Sequence, residues 1–221
     1  VMHETMHAMG FSSVAEQMTV PKGIHRVMTP IYAITTPHVV AVAQDFYQDP
    51  SITYVEFEDV GGSGTAGAHW KKRQLYNEIM TGTSSLYSVV SNFTLAFFED
   101  LGVYKVDYTQ AEPLAWGKGM GRSFYDCATW PDRHPYAAPQ TSRGCTPDRG
   151  GIGMTDRTTY DSALEQQYQN YNSSTLGGAN EMMDYCIYTC PIYGGSCADM
   201  NSFATEYIQT LAFLDRGMTY G

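Results

Sequence analysis

His3 and His7 stand four residues apart in the opening stretch Val1-Met-His-Glu-Thr-Met-His-Ala-Met-Gly10, and a helix turns that spacing into one shared face. Wound this way, the two imidazoles lie about one turn apart, near enough to ligate a single ion. The Glu4 carboxylate then falls beside that ion, where it can take a proton from water. The same residues also describe an ordinary half-buried helix with a solvated Glu4, and five positions do not separate the two readings. Gly10, three residues after His7, suits the left-handed turn that ends a helix and redirects the chain. Three positions further on stands Ser13, which is no imidazole. A third ligand must come from elsewhere.

The 221 residues are 43% hydrophobic with a net charge of -10. That is enough chain for one large domain or two small ones with an apolar core, and too acidic a surface to track nucleic-acid phosphates. No apolar run approaches a membrane span and no signal peptide leads the chain. A helix beginning at Val1 with a functional His at position 3 has no N-cap or preceding turn, which reads as the C-terminal part of a longer protein. Cys127, Cys145, Cys186, Cys190 and Cys197 all fall in the second half, in a stretch rich in Gly, Pro, Tyr and Asn. This is the profile of loops held by disulfides, with one thiol either free or paired outside the chain. Cys186 and Cys190 have no second pair to complete a metal site. Sequons at Asn92 and Asn172 are compatible with secretion.

Taken in order, residues 11–24 read as irregular surface chain with a turn at Pro21-Lys-Gly23, and His25 as a surface or capping residue. Thr36-Pro37 begins a helix carrying Val39, Val40, Val42, Ala43, Phe46 and Tyr47, stopped by Asp49-Pro50, with His38 structural in its first turn. Ile52 to Phe57 suggests a short extended segment. The Gly61-Gly-Ser-Gly-Thr-Ala-Gly67 loop has no Lys for a phosphate cradle, and reads instead as flexible backbone delivering His69. Met80 follows in Asn77-Glu-Ile-Met80-Thr-Gly82. A helix over 85–101 is expected from the apolar stripe Leu86, Val89, Val90, Phe93, Phe97 and Leu101, with Asn92 off the stripe. Residues 118–200 read as loops, with an exposed turn at Arg133-His134-Pro135, and 203–213 as a last short helix.

H-E-x-x-H-x-x-G, a later His and a Met in a tight turn make up the metzincin set. With the long insertion before His69, the stretches HETMHAMGF, GSGTAGAHW, NEIMTG and FFEDLGVYKVDYTQAEPLAWG resemble the leishmanolysin family of surface metalloproteases. The resemblance runs strongly from 1 to 117 and loosely beyond. It implies an α+β, metzincin-like zinc protease whose N-terminal sheet half lies outside this chain. Residues 1–117 would be the C-terminal half of the catalytic domain (active-site helix, insertion 11–68, third ligand, Met-turn, helix 85–101). Residues 118–221 would form a mostly helical, loop-rich, disulfide-bonded subdomain. One catalytic Zn2+ would be held by His3, His7 and His69, with Glu4 as general base, Gly10 making the turn and Met80 packed under the site. Some metzincins carry a Tyr two residues after the Met. Here that position is Gly82, and Tyr87 has no tie to the site. Glu78 is either an acceptor for a ligand N–H or a surface or capping carboxylate. Arg122 stands about where many members have a Cys.

The resemblance implies an endopeptidase acting on protein or peptide substrates, extracellular or at the cell surface. Membrane association would come through a lipid anchor beyond this chain. The alternative is a surface or coat glycoprotein that keeps the fold for adhesion; a change at Glu4 or His69 would have favoured it, and neither is changed.

Overall fold

The computed structural model describes residues 1–192 apart from 13, 86, 131–135 and 137–142. Helix α1 spans Met2–Ala8 and buries none of its own residues. It is anchored instead by Phe11, which is fully buried just beyond it. Strands β1 (Glu16–Lys22) and β2 (Val27–Ile34) form an antiparallel hairpin in the register Glu16↔Ala33 to Lys22↔Val27. This corrects the irregular reading of 11–24. Pro21 looks like a strand breaker, but β1 is an edge strand and tolerates it. Its inward face also ends in a buried Lys22, which breaks the expected apolar alternation.

Helix α2 (Pro37–Tyr47) has Thr36 at its N-cap position and Pro at N1, as the sequence suggests. Strand β3 (Val55–Phe57) pairs with β2, Tyr32↔Phe57 to Ile34↔Val55. Backbone bonds then carry the layer onward. Glu58 N–H donates to the His69 carbonyl at 2.8 Å and Lys71 N–H to that of Glu56 at 3.0 Å. Isolated bridges join Trp70 to Thr81 and Glu78 to Val89. The segments bearing His69 and Met80 are thus laid side by side along one edge of the sheet, with the short α3 (Lys72–Leu75) between them in the chain.

Helix α4 runs only from Asn92 to Asp100, which corrects the expected 85–101. Ser91 caps it, with its hydroxyl accepting from Phe93 N–H. Val89 is held in the ladder, donating to the Asn77 carbonyl and accepting from Ile79 N–H. The apolar stripe therefore crosses a strand-to-helix boundary that a 3.6-residue period does not reveal.

Among the described residues no α-helix follows Asp100. Short strands take its place: β4 (Arg143–Cys145), β5 (Ile152–Thr155) and β8 (Thr189–Pro191) in one sheet, and β6 (Thr158–Thr159) with β7 (Leu176–Gly177) in another, with 3-10 turns between. The "mostly helical" expectation for 118–221 fails over these residues, which form short strands and 3-10 turns instead; the expected helix at 203–213 lies outside the described residues. Phe124, Tyr125, Met183 and Tyr188 join the same buried cluster as Phe11, Phe57, Trp70 and Phe97. Cys127 and Cys186 are bonded across 59 residues. Cys190 carries a free thiol, pushed up to about 12 by burial, and Cys197 lies outside the described residues.

Candidate metal centre

Three imidazoles meet where α1 faces the His69 segment. The Nε2 atoms of His3, His7 and His69 are 3.1 Å from one another on all three sides. His69 is buried and the other two are half-buried. Each ring is aimed from behind by a carbonyl: His3 Nδ1 lies 2.6 Å from Ile79 O, His7 Nδ1 2.6 Å from Phe11 O, and His69 Nδ1 3.0 Å from Thr65 O. A carbonyl only accepts, so each Nδ1 carries the proton and each neutral ring turns a bare Nε2 lone pair inward. Three lone pairs at that separation repel unless a cation lies among them. The edges are close to the roughly 3.3 Å expected between nitrogens at about 2.05 Å from a tetrahedral ion. The donor set therefore fits zinc, and it leaves one position of a tetrahedron without a protein ligand. Burial also lowers the His69 pKa, against the raising effect of its bond to Thr65, and favours the neutral ring a metal needs.

Gly10 explains how His7 is held. With φ at +113°, it takes the chain out of α1 so that Phe11 N–H donates to Met6 O and Phe11 O returns to His7 Nδ1–H. Glu4, in the first turn, is exposed and near enough for its charge to act on His69. The leishmanolysin family model (peptidase M8) matches residues 1–214.

The chain belongs to the leishmanolysin family.

It is 34% identical over 222 residues to a leishmanolysin homolog of Crithidia fasciculata, covering 94% of this chain and 33% of that protein. Against a leishmanolysin-like peptidase of Drosophila pseudoobscura pseudoobscura it is 37% identical over 180 residues, covering 70% and 26%. Against leishmanolysin of Leishmania donovani the figures are 32% over 215 residues, 92% and 36%. The chain spans about a third of the length of the curated relatives it matches.

Other residues of this leishmanolysin-family chain are placed as follows. Met80 is fully buried, its carbonyl accepting from Trp70 N–H at 2.9 Å. Glu78 is no surface carboxylate: it is 1% exposed and takes bonds from Met80 N–H, Ser91 N–H and the hydroxyls of Ser91 and Thr94. It caps the turn and the start of α4, and it does not touch a ligand imidazole. Burial pushes it up to about 7 despite those bonds, which favour the ionised form. Gly82 lies against the loop that orients His69: a Cβ built there would meet Thr65 Cγ2 at 2.3 Å. A Tyr at this position would collide with that loop.

Tyr87 is exposed and serves through its carbonyl, which accepts from Asn77 Nδ2. His25 and His38 are exposed and bonded to Gln169 and Asp100; His134 lies outside the described residues.

The sequence reading missed a buried charge cluster next to His69. Lys71 pairs with Glu58, Asp59 and Asp184. Arg73 pairs with Glu56 and Asp184, and Lys22 with Glu56, Asp59 and Asp184. Lys22 and Asp184 lie 162 residues apart, and nothing in the local sequence names either as the other's partner.

Proposed function

We propose that this protein is a zinc-dependent endopeptidase that hydrolyses peptide bonds in protein substrates. What carries the reading is the convergence of three Nε2 lone pairs, each fixed by a carbonyl at Nδ1, with the exposed Glu4 following His3 in the same helix. His3, His7 and His69 would hold the ion, which supplies a Lewis acid that polarises a carbonyl and lowers the pKa of water towards about 7. Glu4 takes the proton from the water that attacks the scissile carbonyl carbon. It then passes that proton to the amide nitrogen as the C–N bond breaks, so that a free amine leaves. With each Nδ1–H committed to a backbone acceptor, each ring has only Nε2 to offer the ion. Gly10 and the 61–67 loop, with positive φ at Gly61, Gly62 and Gly67, hold the rings in place. An extracellular or cell-surface setting suits the Cys127–Cys186 disulfide and the exposed side chains of Asn92 and Asn172.

The test is the zinc content and peptidase activity of the whole protein beside Glu4→Gln. Retained zinc with activity reduced by about 10²–10⁴-fold is the expected result, the range for loss of a general base. Stoichiometric zinc with no peptidase activity in the wild type would instead support the adhesive or coat reading.

A further inference from the structure

We infer that Glu78 is a positioning residue for His3, acting through the peptide group between Ile79 and Met80. The inference rests on reading His3 as a zinc ligand. The carbonyl of that peptide accepts from His3 Nδ1–H at 2.6 Å, and the N–H of the same peptide donates to Glu78 Oε2 at 2.6 Å. Ligand histidines commonly give their second N–H to a carboxylate, which fixes the ring and makes it a stronger donor. Here one peptide unit is inserted between the two. A carboxylate drawing on a peptide N–H shifts negative charge onto the carbonyl oxygen, and bonds linked in this way strengthen one another in a dry interior.

The rest of the Glu78 environment keeps that oxygen for the peptide. Oε1 takes three donors, Ser91 N–H at 3.2 Å, the Ser91 hydroxyl at 3.1 Å and the Thr94 hydroxyl, and leaves Oε2 to Met80. Among the described residues no cation pairs with Glu78. Its charge is therefore spent on these hydrogen bonds. The other ligands lack this device. The peptide that accepts from His69 bonds onward, through Ala66 N–H, only to the carbonyl of Gly62. Among the described residues no carboxylate bonds to the peptide that accepts from His7. Among the described residues His3 is the one imidazole of the three backed by a carboxylate, and Glu78 in its ionised form, which prevails above about pH 7, makes it the most strongly donating ligand.

The zinc dissociation constants of the whole protein, measured by chelator competition, test this in the wild type, Glu78→Gln and Thr94→Val. Gln keeps the shape and removes the charge. Val removes a hydroxyl bond from the other carboxylate oxygen, together with the acceptor of Trp70 Nε1–H, and leaves the bond to Met80. Glu78→Gln is expected to weaken zinc binding about tenfold, the low end for outer partners of metal ligands, and to shift the visible absorption of the cobalt(II)-loaded protein. Thr94→Val should leave zinc within about threefold of wild type and the cobalt spectrum unmoved, because the linked bonds to His3 persist. Equal affinity in wild type and Glu78→Gln overturns the inference and leaves the zinc site standing. Equal weakening in both variants overturns it too, since Glu78 is then an architectural clamp. If Glu78→Gln does not fold, Thr94→Val decides alone: tenfold weaker zinc overturns the relay. A wild type that binds no zinc, or binds it as well after His3→Ala, overturns the metal reading and this inference together.

Discussion

Lys71 Nζ lies 2.7 Å from Asp184 Oδ1, so a side chain two residues after the third histidine is tied to a carboxylate more than a hundred residues downstream. Asp184 also faces Lys22 and Arg73 and is almost fully buried. Removing one member of such a cluster strands the others without compensation, at a cost of about 3–5 kcal/mol. Asp184→Ala should therefore lower stability by that order in denaturant unfolding, and should loosen His69 through Lys71. Burial alone would raise the Asp184 pKa, but Lys22, Lys71 and Arg73 hold it well below the carboxylate range. A depressed carboxylate contributes stability that is present above its unfolded pKa of about 3.9 and is lost as pH falls below it. Asp184→Asn should flatten that acid limb of the stability profile; an unchanged limb would show the charge to be unimportant.

The start of α2 is capped from outside the helix. Asp100, at the end of α4, accepts from the backbone N–H groups of His38 and Val39 and from His38 Nδ1. That side-chain bond raises the His38 pKa. A raised His contributes stability below its unfolded pKa of about 6.5, which is lost as pH climbs through the folded value. The stability gap between wild type and His38→Gln should be widest below about pH 6.5 and close as pH climbs through the raised folded value. Asp100→Ala should cost about 1 kcal/mol at neutral pH as a lost cap. Thermal melts across that range check both.

What the sequence shows of this protein follows the range of its signals. His3, His7 and Gly10 sit within one helix and its end, so their spacing alone carries geometry, and α2 reveals itself by a cap, a Pro and an apolar stripe. His69 and Met80 are reachable only through the family pattern, because nothing in 58 intervening residues states which side chain returns. The buried charges are invisible for the same reason. Lys22 bonds Asp184 across 162 positions, so each reads locally as a solvated residue. Glu78 is harder still, since its role depends on which peptide it bonds rather than on its neighbours in sequence. The apolar stripe misleads because Val89 lies alongside the segment leading to Met80 and outside the helix.

The disulfide between Cys127 and Cys186 closes a loop with a sequence separation of 59, and its second cysteine lies two residues from Asp184. Chain-entropy arguments give a bridge of that length about 4 kcal/mol. Replacing both cysteines with Ser should lower the melting temperature accordingly. Because Asp184 anchors Lys71, zinc release to a chelator should also quicken. A lower melting temperature with unaltered zinc release would show that the C-terminal region stabilises the chain without reaching the centre.

Gly82 sets how close the Met80 turn comes to the third ligand. Its missing side chain leaves room for Thr65, whose methyl would lie 2.3 Å from an added Cβ and whose carbonyl holds His69 Nδ1–H at 3.0 Å. Thr65 is β-branched and stiff at χ1, so the conflict passes to the backbone rather than being relieved by a rotamer change. Gly82→Ala should thus cost about 1–3 kcal/mol as overpacking, and it should act on zinc as well as on stability. Thr65→Ser in the same chain removes the obstructing methyl and keeps the carbonyl. If the argument is right, the double variant regains most of the zinc affinity that Gly82→Ala loses. If zinc binding in Gly82→Ala matches wild type, or the second change restores nothing, the Thr65 carbonyl is not what fixes His69.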